Sequence, residues 1–133
     1  MSLADYLESA VINWMRGTAM PTAPTTLYVA LFTADPGESG ALTNEVATAG
    51  STAYARTAVT LGAAPSPVAN TADVVFPTAT ASWGTVTHAA LVDGPTRGSG
   101  NVLASNALSG GSQAIGSGIT PRFVTGQLTF TLD

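Results

Sequence analysis

The sequence predicts a mainly β fold: an antiparallel β-sandwich, jelly-roll-like, of about six to eight strands with one short N-terminal amphipathic helix. Three observations carry this. Only residues 2–16 repeat apolar side chains at the 3.6-residue period of a helix. From residue 25 onward the apolar residues alternate or run in short stretches rich in β-branched types. Clusters of Gly, Pro, Asn and Ser separate those stretches and break either kind of element. The 133 residues fit one sandwich domain spanning 1–133. A chain of that size can remove roughly two thirds of its unfolded surface from water.

The helix comes first. Leu3, Tyr6, Leu7, Ala10, Val11 and Trp14 follow i, i+3, i+4, i+7, i+8, i+11 and share a face, which Ile12 and Met15 widen. Ser2 stands where it can cap free N–H groups, with Asp5 three residues on. Asp5 and Glu8 lie near the positive end of the helix dipole and Arg16 near the negative end. Gly17 stops the helix, and Pro21 and Pro24 prevent its continuation. A stripe this wide is expected to lie on the sheet; docking on a partner is the alternative.

The period then changes to two. In TTLYVALFTA, Leu27, Val29 and Leu31 point one way and Tyr28, Ala30 and Phe32 the other, so this strand is expected to be covered on both faces. Residues 34–52 form a long loop opened by the turn signal Asp35-Pro36-Gly37. AYARTAVTL reads as a second strand and ADVVFPTA as a short one ended by Pro77. Residues 85–92 form a strand, 93–101 a turn with three glycines, and 101–109 another strand. GGSQAIGSG reads as a flexible connection. The closing segment alternates Leu128, Phe130 and Leu132 with polar residues, and Gly126 is a candidate bulge.

Charge narrows the function. Charged residues are 9% of the chain, against about 25% in ordinary domains. There is no lysine; the basic residues are Arg16, Arg56, Arg97 and Arg122, and the net charge is −4. Nucleic acid and anionic membrane surfaces need clustered cations, so neither is an expected partner. A surface built mainly of Ala, Thr, Ser and Gly suits close packing against other subunits. A compositional habit of the genome would account for it equally well. Zero cysteines exclude disulfides and thiolate metal sites. There is no apolar run of about 18 residues, so no membrane span is expected. MSLADYLESA is acidic where a signal peptide would be basic, which predicts synthesis in the cytoplasm without export processing.

His88 is the only histidine and lies in SWGTVTHAALVDG, close to Trp83. A Ser–His–acid triad would need a base, a nucleophile and an orienting carboxylate. No Gly-x-Ser-x-Gly elbow occurs, and GESG at residues 37–40 lacks both the spacing and the setting. Asp35, Glu38 and Glu45 share one loop, but no calcium-loop pattern organises them. GPTRGSGN lacks the Gly-Lys-Ser/Thr ending of a phosphate loop. No catalytic residue, metal site or cofactor is therefore expected. The candidate partner contacts are Arg97, at a glycine-rich loop tip, Trp83, at the entry to the 85–92 strand, and His88, within it. Alternation places Val86, His88, Ala90 and Val92 on one face of that strand, with His88 as a polar anchor.

Four segments taken in order carry a family resemblance: LYVALFTA at 27–34, YAR at 54–56, WGTVTH at 83–88 and LTFTL at 128–132. Together they resemble a group of small virion proteins of tailed bacteriophages, usually labelled tail fibre proteins, over nearly the whole chain. NVLASNAL departs from relatives that carry aromatics near this point. The resemblance implies a non-enzymatic structural subunit of the virion, in the fibre or baseplate region, put together in the host cytoplasm. It would bind other virion proteins and form a homo-oligomer. Similar small β proteins serve as capsid decoration, or cement, and that is one alternative. A carbohydrate-binding module meeting a host surface glycan is another.

Overall fold

The computed structural model describes residues 1–132. In chain order they form β1 (Ser2–Leu3), α1 (Asp5–Met15), β2 (Leu27–Phe32), β3 (Thr57–Val59), β4 (Val68–Ala69), β5 (Val74–Val75), β6 (Gly84–Val86), β7 (His88–Val92), β8 (Val102–Ala107), β9 (Gln113–Ile115), β10 (Arg122–Phe123) and β11 (Thr129–Phe130). The fold is mainly β, all its ladders are antiparallel, and its helix lies near the N-terminus.

Five strands form the main sheet, in the order β1-β8-β7-β2-β3. β2 and β7 pair from Tyr28↔Val92 to Phe32↔His88 and form its centre. The period-two pattern of β2 is realised on both faces. Val29 and Leu31 join Val59, Ala89 and Leu91 in the larger core cluster, while Ala30 and Phe32 join Ala90, Val92 and Val102 in the smaller one. Phe32 is completely buried. Truncating it to alanine would cost about 3–5 kcal/mol through lost transfer energy and the cavity left behind.

The second layer is not one continuous sheet. It consists of three two-stranded ribbons, β6–β9, β5–β10 and β4–β11. Their Val74, Val86 and Ile115, with Phe76, Ala79, Trp83 and Leu128, close the larger cluster. Proline explains part of the fragmentation, because it cannot donate to a ladder. Pro77 follows the end of β5 within two residues, as the sequence indicates, and Pro121 immediately precedes β10. The ribbon strands β4 and β9 lie in segments that read as loops, 62–71 and 110–118. Each is only two or three residues long and is defined by its partner rather than by its own pattern.

Three other expectations are corrected. Val86 does not share a face with His88: the ladder breaks at Thr87, where the chain passes from the β6 ribbon into the main sheet. The Thr87 N–H donates to the Phe32 carbonyl, and the Thr87 carbonyl accepts from Leu108 N–H. Val86 therefore enters the larger cluster while Ala90 and Val92 enter the smaller. Gly126 sits in a turn, donating to the Asn70 carbonyl; the bulge falls between Leu91 and Val92. Ser2 does not cap the helix, because it is drawn into β1 opposite Ser105. Ala4 is the N-cap and makes no side-chain capping bond. Its N–H donates to Leu103, and the Asp5 N–H donates to the Glu38 carbonyl.

The helix itself gives the largest departure. Of its residues only Ala10 is buried, with Leu7 and Val11 half-buried against the body. Trp14 lies on the same stripe one turn further on, yet is 60% exposed, because the helix has run past the sheet. Ile12 and Met15 point outward and are 59% and 75% exposed. The smaller core is closed instead by Ala4 at the helix start, with Leu42 from the long loop packed against it. Among the described residues, no helix is long and apolar enough to cross a membrane.

Candidate functional site: assembly surfaces

The long loop and the Tyr-Ala-Arg segment meet in a buried polar cluster. Tyr54 and Arg56 lie two residues apart, before β3, and both reach Glu45. The Arg56 Nε donates to Glu45 Oε1 at 2.7 Å and its Nη2 to Oε2 at 2.9 Å, a bidentate fork with both side chains fully buried. Tyr54 O–H donates to Oε1 at 3.0 Å, and its oxygen accepts from the Leu31 N–H of β2 at 3.0 Å. The Gly98 N–H donates to Oε2 at 2.8 Å. Arg56 Nη1 donates to the carbonyls of Gly94 and Ser99 at 2.8 and 2.9 Å. One ion pair thus fastens two loops, 33–56 and 93–101, to the central sheet. Burial, reinforced by the Glu45 carboxylate, pushes the Tyr54 phenol well above its usual range, so it stays a donor.

Arg97 folds back over this cluster. Its Nε donates to the Val46 carbonyl at 3.0 Å and its Nη2 to the Glu45 carbonyl at 2.9 Å, although the residue remains exposed. Below the loop, Asp93 accepts from Asn101 N–H and Nδ2, both at 2.8 Å. Gly100 has φ +80°, and a Cβ there would stand 2.6 Å from Asp93 Oδ1, so only glycine fits.

Trp83 is an interior residue, 3% exposed. Its Nε1 donates to the Thr52 carbonyl at 2.7 Å. Its ring meets those of Tyr54 and Phe76 edge-on, with centroids at 5.3 and 6.4 Å. A ring packed in this way offers no surface to another subunit. Gly84 follows with φ +78°, which accounts for the Trp-Gly pair at the start of β6.

His88 is half-buried at the other end of the sheet. Its Nδ1 lies 2.8 Å from Thr87 Oγ1, and its Nε2 is 3.8 Å from the exposed Asp35 carboxylate. Its polar contacts thus lie within its own chain. Asp35 also accepts from Gly37 N–H, as the turn signal implies. Asp35, Glu38 and Glu45 do not converge, and no group of three or more His, Asp or Glu among the described residues could hold a metal ion.

Two surfaces remain available. The first is a groove of about 440 Å³ where the ribbons part. Core residues Leu31, Ala89, Ile115 and Leu128 form its floor, while Asn106, Gln113, Arg122 and Gln127 stand among its walls. The second is the arm made by the last turn of α1 and the segment leading to β2. Residues 12–26 are all exposed, and they include Ile12, Trp14, Met15 and Met20. Sequence reasoning found the apolar stripe of this arm but assigned it to the sheet. The Glu45–Arg56 pair carried a legible signal that was missed: in a chain without lysine, Tyr54 and Arg56 stand at i and i+2 within an apolar stretch. Arg is also the cation suited to buried bidentate pairs.

The body is small, antiparallel and β, and among the described residues every buried side-chain nitrogen or oxygen has a hydrogen-bond partner. A search of family models supplies the family. The family described as Podophage GP4 fiber I protein gp80 matches residues 2–131, and the chain belongs to this family of podophage fibre proteins. It is accordingly a structural component of a phage virion. No curated protein matches the chain.

Proposed function

We propose that the chain is a non-enzymatic subunit of the tail fibre or baseplate region, acting as one sandwich domain. It works by protein–protein assembly with copies of itself and with neighbouring virion proteins, and is put together in the host cytoplasm. The exposed arm at residues 12–26 carries this reading. Four large apolar side chains held outside the body form the kind of patch that marks an association surface. Antibody labelling of intact particles tests the location: label at the tail supports the proposal, and label over the capsid shell replaces it with a decoration role.

The groove favours a second reading. Its volume lies within the range of ligand sites, and amide and guanidinium groups beside half-buried Phe123 suit a sugar's hydroxyls and apolar face. Trp83, Arg97 and His88 are not part of that wall. Arg97 and His88 are instead proposed as contacts at the ends of the main sheet, each already oriented by its own chain. Glycan-array binding that is lost in a Gln113→Ala, Arg122→Ala variant is the outcome expected of a host-recognition site.

A further inference from the structure

We propose that the arm is a self-association surface, on which α1 of one chain pairs antiparallel with α1 of a second copy about a two-fold axis. This rests on the assembly reading above and names the surface that serves it.

The first argument is exposure. Ile12, Trp14 and Met15 are each more than half exposed. At about 100° per residue they spread over roughly 160° of the helix circumference. The last turn thus carries an apolar stripe over a little less than half of its circumference, and a stripe of that width is normally buried against something. Its own sheet reaches only Ala10, Leu7 and Val11.

Charge selects the occupant. Asp5, Glu8 and Arg16 are the only charged residues among residues 1–26. The two acids occupy the first turn of α1 and Arg16 is its C-cap. An antiparallel pair sets Arg16 of each copy beside Asp5 and Glu8 of the other, twice over. A parallel pair would stack like on like. Antiparallel packing also opposes the two helix dipoles favourably. The helix of 11 residues is about 16 Å long, so full overlap brings each arginine to the opposite first turn. Ile12 and Met15 fall on the same outward side of the helix as Asp5, Glu8 and Arg16, opposite the buried Ala10, so they meet the second copy together with those charges. Such a contact is isologous and closes on itself. An unrelated partner would need an acidic patch at the same spacing, which a second copy already carries.

Sedimentation of the full chain over a wide concentration range tests the proposal. The wild type is expected to dimerise. An Ile12→Glu, Met15→Glu variant is expected to stay monomeric with its thermal unfolding intact, since both side chains are more than half exposed. Arg16→Glu is expected to weaken the dimer about tenfold. Adding Asp5→Arg and Glu8→Arg to it should restore association. A monomeric wild type, a double glutamate variant that still dimerises, or a charge reversal without effect or without rescue would each overturn the pairing. Particle labelling separates this from the broader reading. A chain present in the virion but monomeric in solution sinks only the pairing. A dimer absent from the virion sinks only the structural role.

Discussion

The cluster around Arg56 and the arm beyond Ala10 treat water in opposite ways. In the first, the most polar side chains of the chain are taken completely out of solvent, and each donor or acceptor has a partner. Among the described residues no buried side-chain nitrogen or oxygen lacks a hydrogen bond. In the second, some of the largest apolar side chains stand half or more in water. With charges so few, the placing of the buried Glu45–Arg56 pair matters. It lies where two long loops must be fixed, while the apolar surplus lies where the body ends. The first region holds the subunit together, and the second is left for something outside it.

That contrast can be broken most sharply at Arg56. Arg56→Ala strands the Glu45 carboxylate and two loop carbonyls, and should cost about 3–5 kcal/mol in denaturant unfolding. A loss under 1 kcal/mol would show that water fills the site and that the pair is not a fastener. Trp83→Phe is milder. It keeps most of the packing but leaves the Thr52 carbonyl without its donor, for an expected loss of about 1–3 kcal/mol in the same measurement.

The pH dependence sharpens the picture from a second side. The folded-state pKa of Tyr54 is raised, so the folded chain holds that proton where the unfolded chain releases it. Its contribution is complete below the ordinary tyrosine value of about 10 and declines as pH rises above it. Melting curves should fall off in that alkaline range, and Tyr54→Phe should flatten the decline while lowering stability at neutral pH.

The arm should give the smallest response. Trp14→Ala in the dissociated subunit is expected to change stability by no more than about 0.5 kcal/mol, as at other surface positions. A shift as large as that of Trp83→Phe would mean that the helix end packs on the body after all.

What the sequence made legible follows the physics of each signal. β2 was readable because both of its faces are buried within one six-residue strand, so no long-range partner was needed to interpret the pattern. The helix was readable for its period, but not for its neighbour. Amphipathicity shows that a face will be covered and does not say by what. β4 and β9 escaped because two or three residues carry no periodicity, and their state is set by strands far along the chain. Trp83 and His88 attracted attention as rare residues, but rarity does not report exposure. One is spent on the core, and the other bonds to its own neighbour. Glu45 read as one of several loop acids because its partner, eleven residues on, becomes visible only when the loop has folded.

The grip of Arg56 on the Gly94 and Ser99 carbonyls leaves the exposed Pro95 and Thr96 at the crest of a loop that is held from below. Those two side chains do not take part in the hold. Their identities can therefore drift across generations while the backbone beneath stays fixed. Whatever meets the crest encounters an ordered shape, with little entropy left to lose on contact. The loop is in that sense a mount with an interchangeable face, and diversity can gather there without endangering the fold.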